Sequence, residues 1–146
     1  MASDNINIGI VGLGFMAAMH IRAYRQIDGV TVAAICDLDP ERLKGDFTAA
    51  LGNLDSGEPI ILDMSQVKAY QDFNDLLADE SIDAIDICTP TRTHLRMTKP
   101  ALASGKHVIC EKPLAREIAE AREIAEAASQ AKGHFMVAMC LRFWPQ

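Results

Sequence analysis

Asn7-Ile8-Gly9-Ile10-Val11-Gly12-Leu13-Gly14-Phe15-Met16-Ala17 is the stretch that decides the fold of this 146-residue chain. Its first five residues form a short apolar run that reads as a strand, and residues 15–26 read as a helix, with Gly29 suited to its end. Between the two, Gly12 permits a tight turn, and Gly14 lets a pyrophosphate approach the main chain with no Cβ in the way. Ala17 meets the need for a small residue where helix packs on strand, though less tightly than glycine. The first helical N–H groups, at Phe15 and Met16, then face the phosphates. A lone G-x-G-x-x-A is a weak signal, because glycine pairs often do no more than turn the chain.

The flanking sequence supplies the missing context. Residues 30–36 are almost continuously apolar, as expected of a strand covered on both faces. Asp37 follows at once, where a carboxylate accepts both ribose hydroxyls of an adenosine and repels a 2′-phosphate. Leu38, not arginine, comes next, so NAD is expected in preference to NADP. Asp39-Pro40 reads as an N-cap and first helical residue opening a helix over 41–50. Residues 52–59 are rich in turn formers and read as a loop, and 60–65 as an extra strand or part of a long excursion.

Further on, strands are expected over 67–70, 84–88, 107–110 and 135–139. Helices are expected over 72–78, 93–104 and 116–132. Pro100 should kink or split the second of these, at a cost of about 3 kcal/mol, and Gly105 should cap it. The alternation predicts an α/β fold: a doubly wound, mainly parallel six-stranded sheet, a Rossmann fold.

Composition narrows the function classes. Hydrophobic residues make up 49% of the chain, enough for one domain with a full core. A net charge of −6 argues against a nucleic-acid backbone binder. The start carries no basic, apolar secretory signal, and no run is long enough to span a membrane, so a cytoplasmic protein is expected. Cys36, Cys88, Cys110 and Cys140 lack metal-type spacing and read as reduced, buried thiols at strand ends; no metal is expected.

The most unusual feature is Glu111-Lys112-Pro113, directly after the apolar run 107–110. A charged pair at a strand's end is a poor choice for stability, but ligands of an open parallel sheet bind just there. Three stretches in order then carry a family resemblance: residues 12–17, Cys88-Thr89-Pro90-Thr91-Arg92-Thr93-His94, and Gly105-Lys106-His107 onward through Glu111-Lys112-Pro113-Leu114-Ala115. The chain resembles, over nearly its whole length, the N-terminal half of the glucose–fructose oxidoreductase/inositol 2-dehydrogenase (Gfo/Idh/MocA) family.

That resemblance implies an NAD(P)-dependent oxidoreductase acting on a sugar, cyclitol or related hydroxy or carbonyl compound. It implies Lys112 as the catalytic residue, hydrogen-bonding the oxygen whose carbon gains or loses hydride, with the Lys-Pro peptide often cis. Gly12, Gly14, Phe15, Met16, Asp37, Cys88, Thr89, Pro90, His94, Glu111 and Lys112 would contact the cofactor, with His94 divided between that role and packing at its helix start. Arg142 stands as a substrate-side candidate, although Cys140 and Leu141 depart from the family's usual polar pair. The family continues with an α/β substrate domain, which lies outside this chain, so the isolated chain is expected to bind NAD and turn over poorly. Apolar surface where that domain docks would favour a homo-oligomer. A non-catalytic dinucleotide sensor or scaffold, and a methyltransferase using the same turn, are the competing readings.

Overall fold

The computed structural model describes residues 5–50 and 59–145. Strand β1 (Ile6–Val11) leads into α1 (Phe15–Tyr24), then β2 (Val30–Cys36). After an irregular excursion come β3 (Lys68–Tyr70), α2 (Phe73–Ala78), β4 (Ala84–Ile87) and α3 (His94–Ala103). The chain closes with β5 (His107–Cys110), α4 (Ile118–Gln130) and β6 (Phe135–Val137). The six strands form one parallel sheet in the order β3-β2-β1-β4-β5-β6. The sheet is therefore wholly parallel where mainly parallel pairing was expected.

Alternation along β1 builds two apolar layers. Ile8 and Ile10 face Ala17, Ala18 and Ile21 of α1 together with Phe47 and Ile60. Val11 points the other way, toward Leu76, Ile85, Ile87, Leu102 and Val108. A strand buried on both faces has no polar side to show, which explains the apolar runs that end β1 (residues 8–11) and β2 (residues 32–36). Asp72 caps α2, its side chain accepting from the Asn74 N–H at 2.8 Å.

Three expectations need correction. The helix over 41–50 does not form; two short 3₁₀ turns, Arg42–Lys44 and Thr48–Ala50, stand in its place. The start signal works, since Asp39 accepts from the Glu41 N–H at 3.0 Å. The helix fails at Gly45, whose φ of 77° is left-handed. There the main chain bonds sideways: Leu62 N–H to Gly45 O and Phe47 N–H to Ile60 O, both 2.9 Å. Residues 60–65 thus form no strand of the sheet, only a single antiparallel bridge between Ile61 and Asp46.

Pro100 does not split α3, which runs through it. Pro100 and Arg96, one turn nearer the helix start, are both exposed, so the carbonyl left without an N–H partner faces water. Cys140 is exposed on a 3₁₀ turn (Cys140–Phe143), unlike buried Cys36 and Cys110. The expected loop over 52–59 lies, apart from Pro59, outside the described residues. Among the described residues no helix is long and apolar enough to cross a membrane.

Candidate active site

A groove of about 860 Å³ opens at the carboxyl ends of β1, β2 and β4. Gly12, Gly14, Phe15, Met16, Asp37, Cys88, Thr89 and Pro90 all line it, so eight residues expected at a cofactor share one surface. The two glycines serve it differently. Gly12 has φ 85°, and a Cβ there would lie 2.9 Å from the main-chain N and Cα of Thr89. It lets the loops after β1 and β4 touch. Gly14 has ordinary extended dihedrals, and a Cβ there would meet nothing within 4 Å. It keeps open space beside the start of α1, whose first N–H groups have no partner within the helix.

Asp37 is fixed before any ligand arrives. Its Oδ2 accepts from the Leu13 N–H at 2.7 Å and its Oδ1 from the Asp39 N–H at 2.9 Å. One carboxylate thus ties the glycine turn to the end of β2. Arg42, which no sequence signal indicated, reaches the same place, with Nη1 3.8 Å from Asp37 Oδ2. On the opposite wall the Thr89 and Thr93 hydroxyls are hydrogen-bonded at 2.6 Å.

Two further residues, His94, expected either to pack at its helix start or to contact the cofactor, and Glu111, are buried beside the groove. His94 is fully buried, with Nε2 2.9 Å from the Thr89 carbonyl and Nδ1 3.0 and 3.2 Å from the carbonyls of Pro113 and Leu114. Both ring nitrogens are occupied by main chain, and the ring clamps the loop after β4 to the one after β5. Glu111 is also buried. Its Oε2 accepts from the Lys112 N–H at 2.9 Å, while Oε1 lies 3.2 Å from His20 Nε2. Lys112 itself is exposed at the end of β5, outside the groove's lining, and the Lys112-Pro113 peptide is cis.

Beneath this wall lies a polar network that the sequence concealed. His20 Nδ1 donates to Asp86 Oδ2 at 2.8 Å, and Tyr24 Oη donates to the same oxygen at 2.9 Å. Cys88 Sγ lies 3.5 Å from both His20 Nδ1 and Asp86 Oδ1. Burial would lower the His20 pKa, but hydrogen bonds and charge from Asp86 and Glu111 outweigh it and raise it above the usual value. Burial, reinforced by Asp86, pushes the Cys88 thiol up, so it stays protonated. No residue is assigned as a metal ligand: His20, Asp86 and Cys88, the one close grouping among the described residues, are already closed by their own hydrogen bonds. His107 and His134 stack at 5.1 Å at the amino ends of β5 and β6, far from the groove. Arg142 is exposed on the final 3₁₀ turn.

The strand order turns back on itself between β1 and β4, and open sheets of this build bind dinucleotides in the crevice there. The domain is of that dinucleotide-binding class. More particularly, the chain belongs to the Gfo/Idh/MocA family, described as an oxidoreductase family with an NAD-binding Rossmann fold, whose profile matches residues 6–139. A D-apiose dehydrogenase of Paraburkholderia graminis is 31% identical over 93% of this chain and 32% of its own length. A myo-inositol 2-dehydrogenase of Thermotoga maritima is 30% identical over 86% of this chain and 34% of its own. The scyllo-inositol dehydrogenase of Lactobacillus casei, solved with NAD(H) and scyllo-inositol, superposes with a TM-score of 0.78 at 28% identity. That match covers 96% of this chain and 38% of the other. The chain thus spans about a third of the length of the curated relatives it matches.

Proposed function

We propose that this chain is the cofactor domain of an NAD-dependent oxidoreductase acting on a sugar, cyclitol or related hydroxy or carbonyl compound. The observation that carries this reading is the open space at Gly14 facing a pre-set Asp37 carboxylate, with an unpaired lysine two strands away. The N–H groups at the start of α1 would hold the pyrophosphate, and Asp37 the adenosine ribose. The Asp37 carboxylate at the end of β2 would repel a 2′-phosphate, which favours NAD over NADP. Bound NAD would supply the carbon that accepts or returns hydride.

Lys112 would donate to the substrate oxygen and stabilise the negative charge that develops there. Its ammonium has no partner among the described residues, so no existing bond must break first. The remaining wall of the substrate site, and the groups that complete proton transfer, belong to a second domain such as the longer relatives have room for. Self-association of such a protein is part of the proposal.

Calorimetric titration of the chain with NAD, NADP and S-adenosylmethionine tests the cofactor assignment. NAD should bind about tenfold or more tightly than NADP, a difference of about 1.4 kcal/mol, and Asp37→Asn should narrow that gap. Preferential binding of S-adenosylmethionine, or none of the three, overturns the reading.

A further inference from the structure

We propose that Tyr24, Asp86 and His20 form a positioning relay which acts through Glu111 on the main chain of Lys112. The inference deepens the proposed function, because it rests on Lys112 as the reacting-site cation. Its starting point is Asp86, fully buried inside an otherwise apolar central strand, Ala84-Ile85-Asp86-Ile87. A carboxylate there carries a large desolvation penalty unless it is fully bonded. An apolar side chain would fill the position at no such cost. The carboxylate therefore has work other than packing.

Its bonds show where that work leads. Asp86 Oδ2 accepts from Tyr24 and from His20, one turn apart on the same face of α1. The other ring nitrogen of His20 meets Glu111 Oε1 at 3.2 Å. Each ring nitrogen thus faces a carboxylate, and only a ring protonated at both can donate to both. The second oxygen of Glu111 holds the Lys112 N–H. Immediately downstream, His94 holds the carbonyls of Pro113 and Leu114. The main chain of Lys112 is therefore fixed from both sides, and only its side chain is free.

The groups facing His20 are Tyr24 from α1, Asp86 and Cys88 from β4 and its end, and Glu111 from the end of β5. Loss of one ring proton leaves one carboxylate without its donor. When that carboxylate is Glu111, its grip on the Lys112 amide changes. The protonation of His20 should accordingly be read at the Lys112 N–H.

An NMR titration of the intact, cofactor-free chain from about pH 5.5 to 9.5 tests this. The His20 ring signals and the Lys112 amide should share one inflection, above the ordinary histidine value of about 6.5. Asp86→Asn should lower that shared inflection by about one unit or more. Glu111→Gln, a second variant in case the first fails to fold, should leave His20 titrating while the Lys112 amide stops following it. A Lys112 amide indifferent to His20 in the unaltered chain, or an inflection that Asp86→Asn leaves in place, overturns the relay. NAD added to the same samples probes the cofactor reading separately, since its failure to bind would not alter the titration that decides the relay.

Discussion

Gly14→Ala separates binding from folding more cleanly than any other substitution in the groove. The added Cβ meets no atom within 4 Å, and the residue's φ of −95° and ψ of −162° suit alanine. Folding should therefore gain about 0.4–1 kcal/mol from the stiffer unfolded chain, raising the melting temperature by about 1–4 °C. On the proposed reading, the methyl group would nevertheless stand where the pyrophosphate lies. Losing one charge-assisted hydrogen bond there costs about 1.5–3 kcal/mol, so NAD affinity should fall about 10- to 100-fold. Gly12→Ala should do the reverse to stability. Its Cβ would lie 2.6 Å from Thr89 Cγ2 and 2.9 Å from Thr89 main-chain atoms. Left-handed strain of about 1–2 kcal/mol and overpacking of about 1–3 kcal/mol should lower its melting point. Thermal melts and NADH fluorescence titrations on both variants give the answer. A well-folded Gly14→Ala that binds NAD as tightly as the original would refute the placement of the pyrophosphate.

Lys112→Ala should leave stability within about 0.5 kcal/mol, as expected of an exposed residue. NAD binding should persist, and turnover in an oxidoreductase containing this domain should fall about 100-fold or more; single-turnover kinetics distinguish this from lost binding. Lys106 is buried, and its Nζ donates to the carbonyls of Asp79 and Ile82 at 2.8 and 2.7 Å. Lys106→Met strands both acceptors and should cost about 2–4 kcal/mol in urea unfolding; a cost near zero would mean water replaces the ammonium. Asp79 is held well below the usual carboxylate range chiefly by its hydrogen bond from Lys68, against burial, with help from Ser81 and Tyr70. A depressed carboxyl pKa contributes stability above the ordinary value of about 3.9 and loses it as pH falls toward the folded value. Acid unfolding should therefore be less steep in Lys68→Met, and an unchanged acid limb would contradict that origin.

Apolar, β-branched runs made the sheet legible. Val30–Cys36 and His107–Cys110 stand where those runs, interrupted only by Thr31 and opened by His107, placed them. The segment after β2 misleads because Asp39-Pro40 is a sound helix start in any context. Gly45 then turns the chain left-handed, and residues 60–62 compete for the main-chain bonds a helix needs. At the site, the glycine turn and Asp37 announce themselves by spacing, whereas Thr89 is indicated only by the family resemblance; all of them line the groove. Asp86 and Tyr24 do not announce themselves: their meaning depends on which helix crosses which strand. One signal was available, a lone carboxylate between Ile85 and Ile87 in an expected strand of the parallel sheet. His94 and Glu111 enter through the family resemblance; the packing role weighed for His94 is the one its main-chain bonds match, and Glu111 likewise turns inward.

The sheet order also acts as a ruler. β1 and β5 are separated only by β4, so the glycine turn and Lys112 stand two inter-strand spacings apart, about 10 Å. Main-chain hydrogen bonding sets that interval, and side-chain substitution at the groove's rim leaves it unchanged. Variation can then accumulate along the β3 edge, where the excursion after β2 departs from the simple alternation, without altering the measured span. On the proposed reading, a lineage could exchange one polyol for another while the distance from phosphate anchor to reacting carbon stays constant.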